Sequence, residues 1–179
     1  MYKLKLTILQ QEIIRYLMIK SGISVNARKL SKELEVSQPA ISKALPYLKN
    51  NGIINMEKDK ESGRFSIALN RDSKRIMNLK RADNLRLLYE SGLADFLEES
   101  FPGTTIILFG SYSRGDDNTK SDIDIAIINA KEKNINLEKF EKLLERKIVI
   151  QFYPNFKEIH KDLKDNILNG IVISGSVDL

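Results

Sequence analysis

The chain has no cysteine and no tryptophan, a single histidine and four prolines in 179 residues. Without thiols there is neither a disulfide nor a thiolate metal site. A lone imidazole has no second soft ligand to work with, so His160, set among charged residues, reads as a solvated group. Long apolar runs are missing too: none approaches the roughly 20 residues a membrane-spanning helix needs. The opening MYKLKLTILQQEIIRY puts charges and glutamines where a signal peptide needs an apolar core. The expected compartment is the cytoplasm, with no membrane partner. Internal repeats and low-complexity tracts are absent as well.

What remains is globular in composition, 42% hydrophobic and 30% charged, and long enough for one ordinary domain or two small ones. Charge is distributed unevenly. Residues 1–70 carry 12 Lys+Arg against 6 Asp+Glu, residues 71–103 carry 6 of each, and residues 104–179 carry 11 against 12. The positive excess lies wholly in the first part. Such asymmetry suggests a polyanion-binding module joined to something else, although a lysine-rich solvated surface produces the same count.

From Leu6 to Met18 apolar residues recur every three or four positions, the pattern of one amphipathic helix. Ala27, Leu30 and Leu34 mark a second helix after Gly22. A third begins at Ser37, a good N-cap with Pro39 in the tolerated first turn, and ends at Asn51-Gly52. Pro46 inside it deletes the bond to the Ser42 carbonyl and predicts a kink. Ile54, Met56 and Lys58 then lead into a turn over Asp59–Gly63, and Phe65, Ile67 and Leu69 return with clean alternation, which is a hairpin.

Residues 71–100 read as helical, with Ile76, Leu79, Ala82, Leu85 and Leu88 as the apolar stripe and a break at Ser91-Gly92. That stripe either pairs two subunits into a homodimer or packs on its own domain. Further on, residues 134–142 read as an amphipathic helix, Ile148–Tyr153 as a strand, Phe156 to Ile167 as one long helix closed by Asn169-Gly170, and Ile171–Ile173 as a last short strand. Strands with intervening helices point to an α/β layer with a small mixed sheet.

Chemistry concentrates in residues 104–128, TTIILFGSYSRGDDNTKSDIDIAII. An apolar run ends in Gly110-Ser111, ten residues intervene, and Asp122 and Asp124 open a second apolar run. Carboxylates two apart on a strand share a face, so Asp122 and Asp124 grip the same ions while Ile123 and Ile125 turn to the core. Gly110 permits an unusual backbone, and the N–H groups after it, with the Ser111 hydroxyl, face an anion. Paired carboxylates beside a phosphate cradle read as a metal-nucleotide site, since Mg²⁺ takes one or two carboxylates and completes its shell with substrate phosphates. A calcium loop starting at Asp116 fails, because Lys120, Ser121 and Ile127 occupy its required positions. Arg114, in the short helix after Gly110-Ser111, and Lys120, in the loop, are candidates to neutralise triphosphate charge.

GSYSRGDDNTKSDID resembles the Gly-Ser, ten residues, Asp-x-Asp signature of the minimal nucleotidyltransferases of the DNA polymerase β-type superfamily. The resemblance covers about residues 95–179. It implies that Gly110 and Ser111 contact the triphosphate of an NTP and that Asp122 and Asp124 bind two Mg²⁺ ions, with Mn²⁺ as a substitute. The family's third carboxylate sits in an apolar-acid-apolar triplet on a later strand; here that triplet is Ile150-Gln151-Phe152. Gln151 offers a carbonyl oxygen but no charge and takes no proton.

SVNARKLSKELEVSQPAISKALPYLKNNGII resembles the core of winged helix-turn-helix DNA-binding domains. That resemblance implies that Gln38, Ser42 and Lys43 face the groove of duplex DNA and that Lys58, Lys60 and Arg64 decorate the wing. The expected architecture is therefore a two-domain α+β and α/β protein: a winged helix-turn-helix over residues 1–70, a connecting helix over 71–92 and a small mixed-sheet nucleotidyltransferase-like domain over 93–179. The leading functional expectation is transfer of a nucleoside monophosphate to a hydroxyl of a protein or nucleic acid. The alternative is a DNA-binding regulator whose second domain senses nucleotide without catalysis.

Overall fold

The computed structural model describes residues 5–58 and 63–178. It divides into two compact units, Met1–Ile76 and Met77–Leu179, and is mixed α+β.

In the first unit, α1 (Ile8–Ile19) starts at Thr7. The Thr7 hydroxyl accepts from the Gln10 N–H (3.2 Å) and the Gln10 side-chain oxygen accepts from the Thr7 N–H (2.9 Å). This reciprocal pair satisfies two otherwise orphaned donors. Helix α2 (Ala27–Glu33) is capped by Asn26, whose Oδ1 accepts from the Lys29 N–H. The turn to α3 (Gln38–Asn50) passes through Glu35 at φ 52° and is pinned by the Ser31 hydroxyl, which donates to the Val36 carbonyl at 2.6 Å. Ser37 caps α3, as its sequence position predicts.

Strands β1 (Ile54–Lys58) and β2 (Phe65–Leu69) pair antiparallel, and Val25 bridges to Ile67. Ile13, Leu17, Leu30, Ile41, Leu48 and Ile67 are all but inaccessible. Burial of each such side chain is worth about 1.5–3 kcal/mol, which is what fastens three short helices to a two-stranded ribbon. This is the winged helix-turn-helix arrangement. Pro46 does not stop α3, which runs on to Asn50. Its ring lies on the exposed side while Leu45 and Leu48 are buried, so packing on either side holds the helix through the missing bond.

The boundary between the units falls within α4 (Lys74–Glu90). Its buried positions are Ile76, Lys80, Asn84 and Leu88, a spacing of four, and Leu79 and Ala82 are exposed. The expected stripe at spacing three is thus displaced, because two of the inward positions are polar and a count of apolar residues passes over them.

In the second unit a four-stranded sheet has the order β5 (Ile148–Tyr153), β4 (Ile123–Ile128), β3 (Thr105–Phe109), β6 (Ile171–Ser174). Strands β4 and β5 are parallel, and β3 is antiparallel to both β4 and β6. Alternation sends Ile106, Leu108, Ile123, Ile125 and Ile127 to one face, where they pack with Leu88, α5 (Leu93–Ser100) and α7 (Glu138–Leu144). Ile107, Phe109, Ala126 and Ile128 line the other face with Phe156, Ile159 and Ile167.

Two helix boundaries differ from the sequence reading. Helix α7 begins at Glu138, not near 134, because the Asn136 side chain accepts the Glu138 N–H (2.9 Å) and so competes with an earlier helical turn. The long helix expected from Phe156 is split. Asn155 Oδ1 accepts from the N–H groups of Lys157 and Glu158, closing a single 3₁₀ turn, Ile159 is extended, and α8 spans Lys161–Leu168.

Candidate active site

The register of the sheet assembles the acidic end. Phe109 pairs with Asp124 across β3 and β4, so Gly110, the next residue, starts α6 (Gly110–Arg114) directly beside the Asp124 carboxylate. Gly110 has φ 73°, and a Cβ there would collide with that carboxylate, coming within 3.1 Å of its Cγ. Glycine is required twice over, for backbone conformation and for space. No side chain caps the start of α6, so its leading N–H groups are available to an anion. Ser111 follows on α6, and the Ser113 hydroxyl donates to the Gly110 carbonyl (2.8 Å), holding the turn.

Asp122 is exposed and Asp124 half-buried, with the inward-facing Ile123 between them. Burial, and then the nearby Asp122, hold the Asp124 carboxyl above its ordinary pKa, and Arg114 opposes both. Two neighbouring carboxylates fit a divalent cation, which relieves their repulsion. Among the described residues no group of three or more acidic, histidine or cysteine side chains gathers to hold a metal. Arg114 itself bonds to Asp116 (3.2 Å) and, through Nη1, to Asn166 of α8 (3.1 Å).

On β5 the residue directly across from Asp124 is Val149, and Gln151 lies opposite Ala126, two residues further along the same face. The Gln151 side-chain oxygen accepts from the Tyr153 hydroxyl (2.5 Å). Its carbonyl is therefore engaged by a neighbour, and β5 brings no carboxylate to the pair.

Behind the site lies a network that the sequence reading missed. Asp117, 1% exposed, receives the Lys80 ammonium on Oδ1, and Lys80 is itself 0% exposed. Asn84 Nδ2 donates to Asp117 Oδ1 (2.8 Å) and to the Tyr112 carbonyl (2.9 Å), and Arg146 Nη2 reaches Asp117 Oδ2 at 3.4 Å. Asp117 thus ties the loop between α6 and β4 to α4 and to the entry of β5. Burial first, then the nearby Asp117, hold the Tyr112 phenol far above its ordinary pKa. Gly115 completes the clamp: a Cβ there would lie 2.5 Å from the Met77 carbonyl oxygen. The sequence signal was an acid in the loop, Asp117, and two polar residues four apart on an otherwise amphipathic helix.

In the first unit Gln38, Ser42 and Lys43 are exposed along α3, Lys58 ends β1 and Arg64 precedes β2, both exposed. Lys60 lies outside the described residues. Gln38, Ser42 and Arg64 share a cavity of about 700 Å³ with Arg28 and Lys49, whereas Lys43 and Lys58 lie outside it.

The glycine-serine turn lies against the paired aspartates at one end of the sheet. Residues 90–174 match the family model described as "Nucleotidyltransferase domain". Residues 90–174 are thus similar to a nucleotidyltransferase domain, and they follow a unit with the winged helix-turn-helix arrangement. Among solved structures, the adhesin competence repressor AdcR from Streptococcus pyogenes is similar over 56% of this chain and 69% of its own, at 22% identity and a TM-score of 0.43. ZitR from Lactococcus lactis, in a variant with one cysteine replaced by serine, is similar over 56% of this chain and 66% of its own, at 19% identity and a TM-score of 0.40. Likeness at this level says nothing of ligands or operators. No curated protein matches the sequence significantly. Among the described residues no helix is long and apolar enough to cross a membrane.

Proposed function

We propose that this protein transfers a nucleoside monophosphate from an NTP to a hydroxyl acceptor, and that its winged helix-turn-helix binds duplex DNA. The observation that carries the reading is the contact of the Asp124 carboxylate with Gly110, which sets an acidic pair against a phosphate cradle. Asp122 and Asp124 would hold Mg²⁺, or Mn²⁺, which when bound neutralises and orients the phosphates. The α6 N–H groups and Ser111 bind the β- and γ-phosphates, and Arg114, tethered by Asp116 and Asn166, faces the charge that develops on them. Val149, across from Asp124 on β5, carries no polar group to compete with the aspartates for the ion.

Calorimetric titration of ATP, GTP, CTP and UTP in Mg²⁺, followed by incubation with each α-labelled NTP and cell lysate, tests this. Wild-type protein should bind and transfer at least one of them, and Asp122→Asn should do neither. Transfer unchanged by Asp122→Asn would refute the assignment.

A second reading has its own support. With no carboxylate on β5 and the Gln151 carbonyl taken by Tyr153, β5 offers no side chain to accept the attacking proton. On that reading the domain binds NTP and reports it to the DNA-binding unit. NTP binding without transfer, accompanied by a change in DNA affinity, would favour it.

A further inference from the structure

The parallel register of β4 and β5 fixes what stands beside the two aspartates. Asp124 is paired with Val149 and Ala126 with Gln151. Carried back one step, the same register sets the exposed Lys147 beside Asp122, and the Lys147 carbonyl accepts the Ile123 N–H (2.8 Å). With a side-chain period of two, residues 147, 149, 151 and 153 share the face of Asp122 and Asp124. That strip reads lysine, valine, glutamine, tyrosine. It holds one cation and no carboxylate. On the other side of Asp124 stands Phe109, apolar as well, and the Gly110 that follows it has no side chain to offer.

Spacing then decides which of these positions bears on a metal. Two divalent ions that share ligands sit about 3.5–4 Å apart. Neighbouring strands lie about 4.8 Å apart, and residues two apart along a strand about 6.6 Å. On β5, the side chain that reaches an ion at Asp124 is therefore the one paired directly with it. That position is Val149, which at 36% exposed is open to solvent yet has no donor atom. Gln151 is about 8 Å away on the diagonal, and its side-chain oxygen already accepts from the Tyr153 hydroxyl. One divalent ion neutralises the two aspartates. A second would be repelled by the first and by Lys147, with no anion on the β5 strip to offset either. The two Mg²⁺ ions that the family resemblance implies do not both fit this donor set.

We propose that the site takes a single divalent cation, the one that accompanies the nucleotide phosphates, and that Val149 is the position at which a second is excluded. The proposal rests on the nucleotide-binding part of the function proposed above.

Equilibrium dialysis of the full chain against Mn²⁺ and each of the α,β-methylene analogues of ATP, GTP, CTP and UTP counts the ions and nucleotides bound per chain. The analogues block transfer, and electron paramagnetic resonance shows whether bound ions are magnetically coupled neighbours. Wild-type protein should hold one uncoupled Mn²⁺ for each nucleotide. Val149→Asp should hold two coupled ions, the second at least about tenfold tighter than any further ion on wild type. Val149→Asn, which adds a polar group without charge, and Gln151→Asp should each stay at one. Two coupled ions on wild type would overturn the proposal and leave the nucleotide site standing. A second ion gained by Gln151→Asp, or none gained by a Val149→Asp protein of native circular dichroism, would overturn the role given to Val149. If Val149→Asp does not fold, the wild-type count and Gln151→Asp still decide. Wild-type protein that binds neither nucleotide nor Mn²⁺ would remove the proposed function along with the ion count.

Discussion

Replacing Asp117 with alanine removes a carboxylate that Lys80, Asn84 and Arg146 all address. Lys80 is 0% exposed and the Arg146 side chain 3%, so neither charge regains water without opening the structure. Breaking a buried pair from one side costs about 3–5 kcal/mol. With a urea m-value of about 2 kcal/mol/M, the unfolding midpoint of the second unit should fall by about 1.5–2.5 M. Lys80→Met should cost less, about 1–3 kcal/mol, since Asp117 keeps Asn84 and Arg146. The double replacement Lys80→Met with Asp117→Leu should recover much of the loss, as apolar substitutes for buried pairs often do. Circular dichroism in urea measures the midpoints, and amide hydrogen exchange along α4 shows whether the loss is local. A midpoint shift below about 0.5 M for Asp117→Ala would refute the claim that this network anchors the loop.

Other consequences follow from single residues. The Asp124 carboxyl is held above its ordinary pKa, so the folded state binds its proton more tightly than the unfolded chain does and stability from this group is lost as pH rises through the raised value. Asp124→Asn should therefore raise the melting temperature of the metal-free protein at about pH 7 and leave it unchanged near about pH 3, by differential scanning calorimetry. Pro46→Ala restores an N–H for the Ser42 carbonyl on an exposed face and should stabilise the first unit by about 1–3 kcal/mol in urea titrations, interior proline costing about 3 kcal/mol. If α3 lies against duplex DNA, Lys43→Ala should weaken binding at low salt and reduce the slope of log affinity against log salt by about 1, by fluorescence anisotropy; a slope unchanged within error would remove Lys43 from the interface.

The features readable from the sequence were those with local causes. Ser37 with Pro39, the alternation through Phe65, Ile67 and Leu69, and the Gly-Ser to Asp-x-Asp spacing are each set within a few residues, and each stands where expected. The buried face of α4 was misread because its inward positions include Lys80 and Asn84, whose partner Asp117 lies more than thirty residues away and whose burial no periodicity of apolar residues can register. The break before α8 escaped for the opposite reason: one side chain, Asn155, captures two N–H groups and overrides an apolar pattern that otherwise reads as continuous helix. The neighbour of Asp124 on β5 was also hidden, since strand register depends on a parallel pairing that no turn between β4 and β5 fixes.

The same clamp around Asp117 sets an order of assembly. As the chain leaves the ribosome, α4 is made before the loop, and Gly115 and Asp117 then have a completed helix to fold against. Arg146 and β5 come later still, so the acidic end can form its turn on α4 but cannot close on its far side until residue 149 has emerged. The second unit thus folds onto a helix supplied in advance, and two pairings in its sheet, β4 with β5 and the still more distant β3 with β6, have no short connection to prepare them.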